Sequence, residues 1–189
     1  MRILLTLSFI ALSFNSLSFA NDGQKLVPAF EAAVDQYISN RDELLAWSMD
    51  FSGSDIKVKT LDANGDVDNF ICNEQSLCEA IGSVDIGADL EVPYGVNFEY
   101  IFDAQTTALS KLEKSLKRKN ISLSSVSKIK TWVDLKSENE HGVGSDIWTN
   151  IVHKLGERTM NIYVYCHIHG IDGYYCHYSK EGKNELSFE

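Results

Sequence analysis

The chain has 189 residues, of which 44% are hydrophobic and 23% charged, the balance of a globular protein with one domain or two very small ones. This composition excludes a disordered tail, a collagen-like repeat and a coiled coil. The 17 basic and 27 acidic side chains give a formal net charge of -10, which argues against generic nucleic-acid binding because phosphate backbones are bound by clustered Lys and Arg.

The first twenty residues have the pattern of a cleavable signal peptide. Arg2 precedes an uncharged apolar and serine-containing run over residues 3–17, and small residues at 18 and 20 mark a cleavage site. The run is short for a membrane span, and no second stretch approaches 18 apolar residues. We therefore predict a signal peptide over residues 1–20, one domain over residues 21–189, and a periplasmic or secreted protein with no remaining membrane span.

Acidic residues are concentrated in the first half of the chain. Residues 21–110 hold 17 acids and 4 bases, whereas residues 111–189 hold 10 acids and 12 bases. This asymmetry is typical of a solvated acidic surface that keeps an exported protein soluble. It also suits electrostatic steering of a basic partner.

Two segments show the apolar spacing of helices. The first covers residues 25–48, where apolar positions recur through Trp47. The second begins at a cap formed by Asp103 or Thr106 and ends at Asn120. We predict a helix for each segment.

The remaining pattern is that of β-strands. Residues 55–72 predict a hairpin with a type I′ turn at Asn64-Gly65. The oxygen-rich run from Asp62 to Asp68 has the alternation of a calcium loop, but Val67 stands where that loop needs glycine, and a turn is the preferred interpretation. Further strands are predicted from alternation, ending in the clearest hairpin; they cover 128–135, 147–153, 160–169 and 174–180. The predicted fold class is α+β, an antiparallel β-sheet with two main helices packed on one face and two disulfides.

Four cysteines in an exported chain indicate disulfides. Nearest-neighbour pairing predicts Cys72–Cys78, which closes a five-residue loop, and Cys166–Cys176, which staples the last hairpin. The alternative is a zinc site, but the spacings are not those of a zinc knuckle.

Period-two alternation divides the last hairpin into two faces. One face gathers His and Tyr residues: Tyr163, Tyr165, His167, His169, Tyr175 and His177. The three histidines are candidate ligands for zinc or copper, with His153 on a neighbouring strand as a further ligand. The alternatives are a structural aromatic face or a protein interface, for which Tyr163, Tyr165 and Tyr175 are the candidate binding residues.

No hydrolase or phosphate-loop motif is present, so the enzyme question stays open with a preference for a non-enzyme. A secreted hydrolase or toxin with an unrecognised site is one alternative. Ala46-Trp47 followed by strands and the Cys72–Cys78 loop resembles the start of periplasmic lysozyme-inhibitor proteins, over about 55 residues. The resemblance implies a disulfide-closed loop presented to an enzyme cleft, although the cysteine spacing differs by one and the family's loop histidine is absent.

The leading hypothesis is therefore an exported binding protein of the inhibitor or immunity type that binds a basic protein partner. The disulfide-closed loop carrying Glu74 and Gln75 is the predicted contact, because a closed loop loses less entropy on binding. No cofactor is expected under this hypothesis, and zinc or copper is expected under the alternative of a metal-binding protein. The oligomeric state is left open.

Overall fold

The structure is a computed structural model. It describes residues 44–51, 55–73, 77–87, 90, isolated positions between 101 and 118, 126–139, 142–143, 146–168 and 174–188. These residues form ten strands, which are β1 (Leu44–Asp50), β2 (Ile56–Asp62), β3 (Asp66–Cys72), β4 (Cys78–Asp85), β5 (Val126–Val133), β6 (Glu138–Asn139), β7 (Gly142–Val143), β8 (Ile147–Leu155), β9 (Arg158–Ile168) and β10 (Tyr174–Ser179).

Eight of the strands form one antiparallel sheet in the order β10-β9-β8-β5-β1-β2-β3-β4. The two short strands β6 and β7 pair separately. β1 lies in the interior of the sheet, between β2 and β5, and β4 and β10 are its terminal strands. The predicted hairpins over 55–72 and 160–180 are confirmed, as are the strands predicted near 128–135 and 147–153.

The predicted α+β fold, with two helices on one face of a sheet, is wrong. The described strands form one eight-stranded antiparallel sheet and the separate β6–β7 ladder, and no helix with defined bounds is present among the described residues, where only isolated positions between 101 and 118 have helical backbone. Leu44–Asp50, predicted as the end of the first helix, is strand β1, and its first six residues are all buried. A strand covered on both faces has no polar alternation, so its sequence is easily confused with that of a buried helix. Residues 25–43 lie outside the described part, as do most positions of the second predicted helix.

The turn between β2 and β3 also differs from the prediction. Gly65 has φ of 87° whereas Asn64 does not have positive φ, and a type I′ turn requires positive φ at both positions. The Gly65 N–H donates to the Asp62 carbonyl at 3.3 Å. The Asp62 carboxylate accepts hydrogen bonds from the N–H groups of Asn64 at 3.0 Å and Asp66 at 2.8 Å. Asp62 therefore has a structural role in holding the turn.

The two faces of the sheet bury different clusters. The larger cluster lies on what we name the core face, which carries Trp47, Met49, Ile129 and Ile151, all at most 1% exposed. Described positions from the 101–108 region, including Ile101 and two alanines, are buried in the same cluster. These residues therefore pack against the core face.

The opposite face, here named the strap face, is covered by the C-terminal strap, residues 182–188. The indole Nε1 of Trp132 donates to the Lys183 carbonyl at 2.9 Å. Lys130, only 5% exposed at its side chain, pairs with Glu185 at 2.6 Å, and its ammonium lies 4.6 Å from the centre of the Phe188 ring. Phe188 is itself buried. The strap thus protects the apolar centre of a face that would otherwise meet water.

Candidate functional site

Both predicted disulfides are present. Cys72–Cys78 joins the end of β3 to the start of β4, and Cys166–Cys176 joins directly opposed residues of β9 and β10. All four cysteines are buried. Two formed disulfides are consistent with an extracellular location, where the environment is oxidising. None of the described segments is a helix that is long and apolar enough to cross a membrane.

The base of the loop closed by Cys72–Cys78 is fixed by two hydrogen bonds. The Asn73 N–H donates to the Leu77 carbonyl at 3.0 Å, and the Leu77 N–H donates to the Asn73 side-chain oxygen at 3.0 Å. Glu74 and Gln75, the predicted contact residues, lie outside the described part of the chain. The structure therefore locates the two ends of the loop, at one end of the terminal strand β4.

Strand β4 is the most exposed strand whose burial the structure describes in full. Cys78 is buried, and every other residue of the strand is exposed. Four large apolar side chains on or beside it are 44–65% exposed, namely Leu77, Ile81, Val84 and Ile86. Among the described strands none pairs with the outer edge of β4, which leaves one row of its backbone N–H and C=O groups without a strand partner there. Apolar side chains and a strand edge therefore lie together on this border of the sheet.

Acidic side chains surround the same border. Asp66 on β3 lies directly opposite Asp85 on β4, and like charges in that position are unfavourable. Desolvation raises the pKa of Asp66 above its ordinary value, and the neighbouring carboxylates of Asp62, Asp85 and Asp68 raise it further. The result is a local negative potential beside the exposed apolar side chains of β4.

Aromatic rings line the strap face on the half of the sheet from β5 to β10. Trp132, Trp148, Tyr165 and His177 are direct cross-strand neighbours on β5, β8, β9 and β10. The Trp148 and Tyr165 ring centres are 4.9 Å apart, and those of Tyr165 and His177 are 5.2 Å apart. His167 completes the group, with its ring centre 5.2 Å from that of His177. The predicted placement of these hairpin residues on one face is confirmed where the structure describes them.

The candidate metal ligands are only partly brought together. His167 and His177 are neighbours, and Asp146 lies 3.8 Å from the Nδ1 atom of His167. His169 lies outside the described residues. His153 is fully buried on the core face, opposite Met160, so it does not join the other histidines as predicted. Within the described residues no group of three or more potential ligands is placed to hold a metal ion.

The predicted binding residues belong to two separate regions. Tyr163 is half-buried near the strap and Tyr175 is exposed on β10, whereas the loop with Glu74 and Gln75 adjoins β4. Five strands separate β4 from β9, which corresponds to about 29 Å at the usual strand spacing of about 4.8 Å. One compact ligand cannot contact both regions.

Comparison of the chain with known protein families, curated proteins and solved structures found no match. Ala46 and Trp47, which carried the resemblance to lysozyme inhibitors, lie in a strand and not at the end of a helix. What the chain binds must therefore be inferred from its own surface.

Proposed function

We propose that this chain is an exported binding protein of the inhibitor or immunity type, and that the border formed by β4 binds an extended, basic segment of a protein partner. The observation that carries the proposal is the exposure of Ile81 (56%) and Val84 (57%) on a terminal strand next to the facing carboxylates of Asp66 and Asp85. Large exposed apolar side chains beside a polar rim are typical of an interaction surface.

The backbone of the terminal strand supports an extended occupant. A partner segment that adds to a sheet edge gains main-chain hydrogen bonds, while pockets for its alternate side chains give specificity. Gly82 follows Ile81, and no atom lies within 4 Å of the position that a Cβ atom would occupy there, so the strand is open to a neighbour at this point. Affinity then comes from the backbone and from contact with Ile81 and Val84.

The charge around β4 supports a basic occupant. Asp66 and Asp85 repel each other in the free protein, and a Lys or Arg from the partner relieves that repulsion. Glu79 is exposed on the same strand and adds to the negative potential. The loop that carries Glu74 adjoins it, with its base fixed by the disulfide and by two hydrogen bonds.

Site-specific photo-crosslinking in the native cell envelope tests the proposal. A photoreactive amino acid at Ile81 is expected to capture a defined partner, whereas the same amino acid at Met160, which is 40% exposed on β9, is not. Equal capture from both positions would contradict the assignment of the surface.

Charge reversal provides the matched comparison. The Glu79→Lys/Asp85→Lys variant is expected to lose the crosslink from Ile81. The Glu157→Lys/Glu181→Lys variant, which changes the net charge equally at exposed sites far from β4, is expected to keep it. Glu74→Lys tests the loop in the same assay. Retention of the crosslink after reversal at β4 overturns the basic-partner proposal.

A further inference from the structure

A second, oppositely charged surface lies on the strap face. A cavity of about 180 Å³ opens between β1, β2 and β5, and it is lined by Ser48, Asp50, Lys57, Lys59 and Lys128. The strand register explains this arrangement, because Ser48 lies opposite Lys59, and Asp50 lies between Lys57 and Lys128. Strand β3 separates the cavity from the β4 border, so it is not part of the surface proposed above.

The cavity is positively charged in a chain that is strongly negative. Three ammonium groups and one carboxylate line it, although the whole chain has a net charge of -10. Lys57 and Lys59 form no ion pair with any described residue, whereas Asp50 and Lys128 have interactions of their own. Lys130, the next lysine along β5, is already paired with Glu185. The three lysines of the lining therefore bring more positive charge to the cavity than its single carboxylate, Asp50, can balance.

The floor of the cavity holds a neutral hydrogen-bonding group. Ser48 is only 5% exposed, and its side chain lines the cavity. A serine hydroxyl in this position can donate a hydrogen bond to an oxygen atom of a group that enters the cavity. Lysine ammonium groups around such a donor suit a phosphate oxyanion, to which lysine binds as a point charge.

The volume of the cavity and the carboxylate of Asp50 limit the kind of ligand that it can bind. Pockets for drug-sized ligands measure roughly 300–1,000 Å³, so a cavity of about 180 Å³ admits only a small molecule. When it is ionised, Asp50 accepts hydrogen bonds and repels anions. The best ligand therefore places a hydroxyl group, not a second anionic group, beside Asp50.

We propose that this cavity binds a small hydroxylated phosphomonoester. The phosphate group contacts Lys57, Lys59 and Lys128 and accepts a hydrogen bond from Ser48, and a ligand hydroxyl donates to Asp50. This site is distinct from the partner-binding border, so the photo-crosslinking result neither supports nor contradicts it.

Calorimetric titration with glycerol phosphate tests the proposal on the full exported protein. The Lys57→Gln/Lys59→Gln variant is expected to bind about a hundredfold more weakly, at about tenfold for each charge-assisted hydrogen bond lost. Ser48→Ala is expected to weaken binding about fivefold to tenfold. The Lys136→Gln/Lys180→Gln variant removes the same charge from exposed sites elsewhere and is expected to bind as the unmodified protein does.

Two further titrations distinguish binding at this site from nonspecific attraction of anions to the lysines. Sodium chloride at matched ionic strength is expected to produce no saturable binding, and inorganic phosphate is expected to bind more weakly than glycerol phosphate because it has no carbon-borne hydroxyl for Asp50. Equal weakening in the two double-lysine variants overturns the proposed site. Tighter binding of inorganic phosphate than of glycerol phosphate overturns the assignment of the ligand class.

Discussion

Gly182, at the start of the C-terminal strap, offers a sharp test of how the strap packs. A Cβ atom at this position would lie 2.9 Å from Cε1 of Tyr163 and 3.1 Å from the Cη2 atom of Trp132. Trp132 is fully buried and its indole is already bound to Lys183, so it has little freedom to move away. Overpacking of this kind costs about 1–3 kcal/mol. For a domain of this size Gly182→Ala is therefore expected to lower the melting temperature by about 3–10 °C.

Thermal unfolding followed by tryptophan fluorescence measures the effect. Lys180→Ala, a substitution at an exposed neighbour of the strap, is the control and is expected to change stability by less than about 0.5 kcal/mol. A Tyr163→Ala change removes one of the two clashing rings, so Gly182→Ala is expected to cost less in that background than in the unmodified chain. Equal melting temperatures for Gly182→Ala and Lys180→Ala would refute the packing of the strap against Trp132.

Two other outcomes test the acidic border and the histidine face. The pKa of Asp66 is raised in the folded state, so ionisation of this carboxyl group destabilises the folded protein. The destabilisation is absent below the ordinary pKa of 3.8, where Asp66 is protonated, and it develops as the pH rises through the folded-state pKa. Asp66→Asn is therefore expected to raise the melting temperature at pH 7 but not below pH 3.8, and an equal gain at both would argue against charge repulsion. The metal hypothesis predicts zinc or copper binding at about 1 µM or tighter, measured by titration of the purified protein. His167→Ala/His169→Ala/His177→Ala is expected to abolish that binding, and its persistence in the triple variant removes the hypothesis.

The sequence predicts best those elements that have one face buried and the other exposed to solvent. β9 and β10 alternate around Cys166 and Cys176, so both the hairpin and the composition of its two faces follow from period two. The prediction for β1 is wrong because both faces of this strand are buried in the middle of the sheet, so its sequence has no polar alternation. The sequence pattern does not predict β4, because nearly all of this strand is exposed and it therefore lacks the apolar alternation that marks a strand. Neither kind of burial can be known before the neighbours of the strand are known.

The candidate sites show the same limit. The disulfides and the His/Tyr face depend on residues close together in sequence, and local spacing predicts them. The lysine cavity depends on Ser48, Lys57 and Lys128 meeting across three strands, one of which arrives from far along the chain. No local motif marks such a cluster. His153 has the same parity as Ile151, and only the register of β8 against β9 reveals that this parity belongs to the core face.

The pairing of β1 with β5 has a consequence for how the chain becomes a folded protein. Every other ladder of the large sheet joins strands that are neighbours in sequence or separated only by the short β6–β7 pair, whereas Ala46 pairs with Trp132 across more than eighty residues. Strands β1–β4 and β5–β10 are thus two local meanders, and β1–β5 is the seam between them. Closing so long a loop is entropically costly and slow, so each meander can form before the seam does. Until then the apolar edge of β1 is open, which makes the interval before seam closure the period of greatest risk of aggregation.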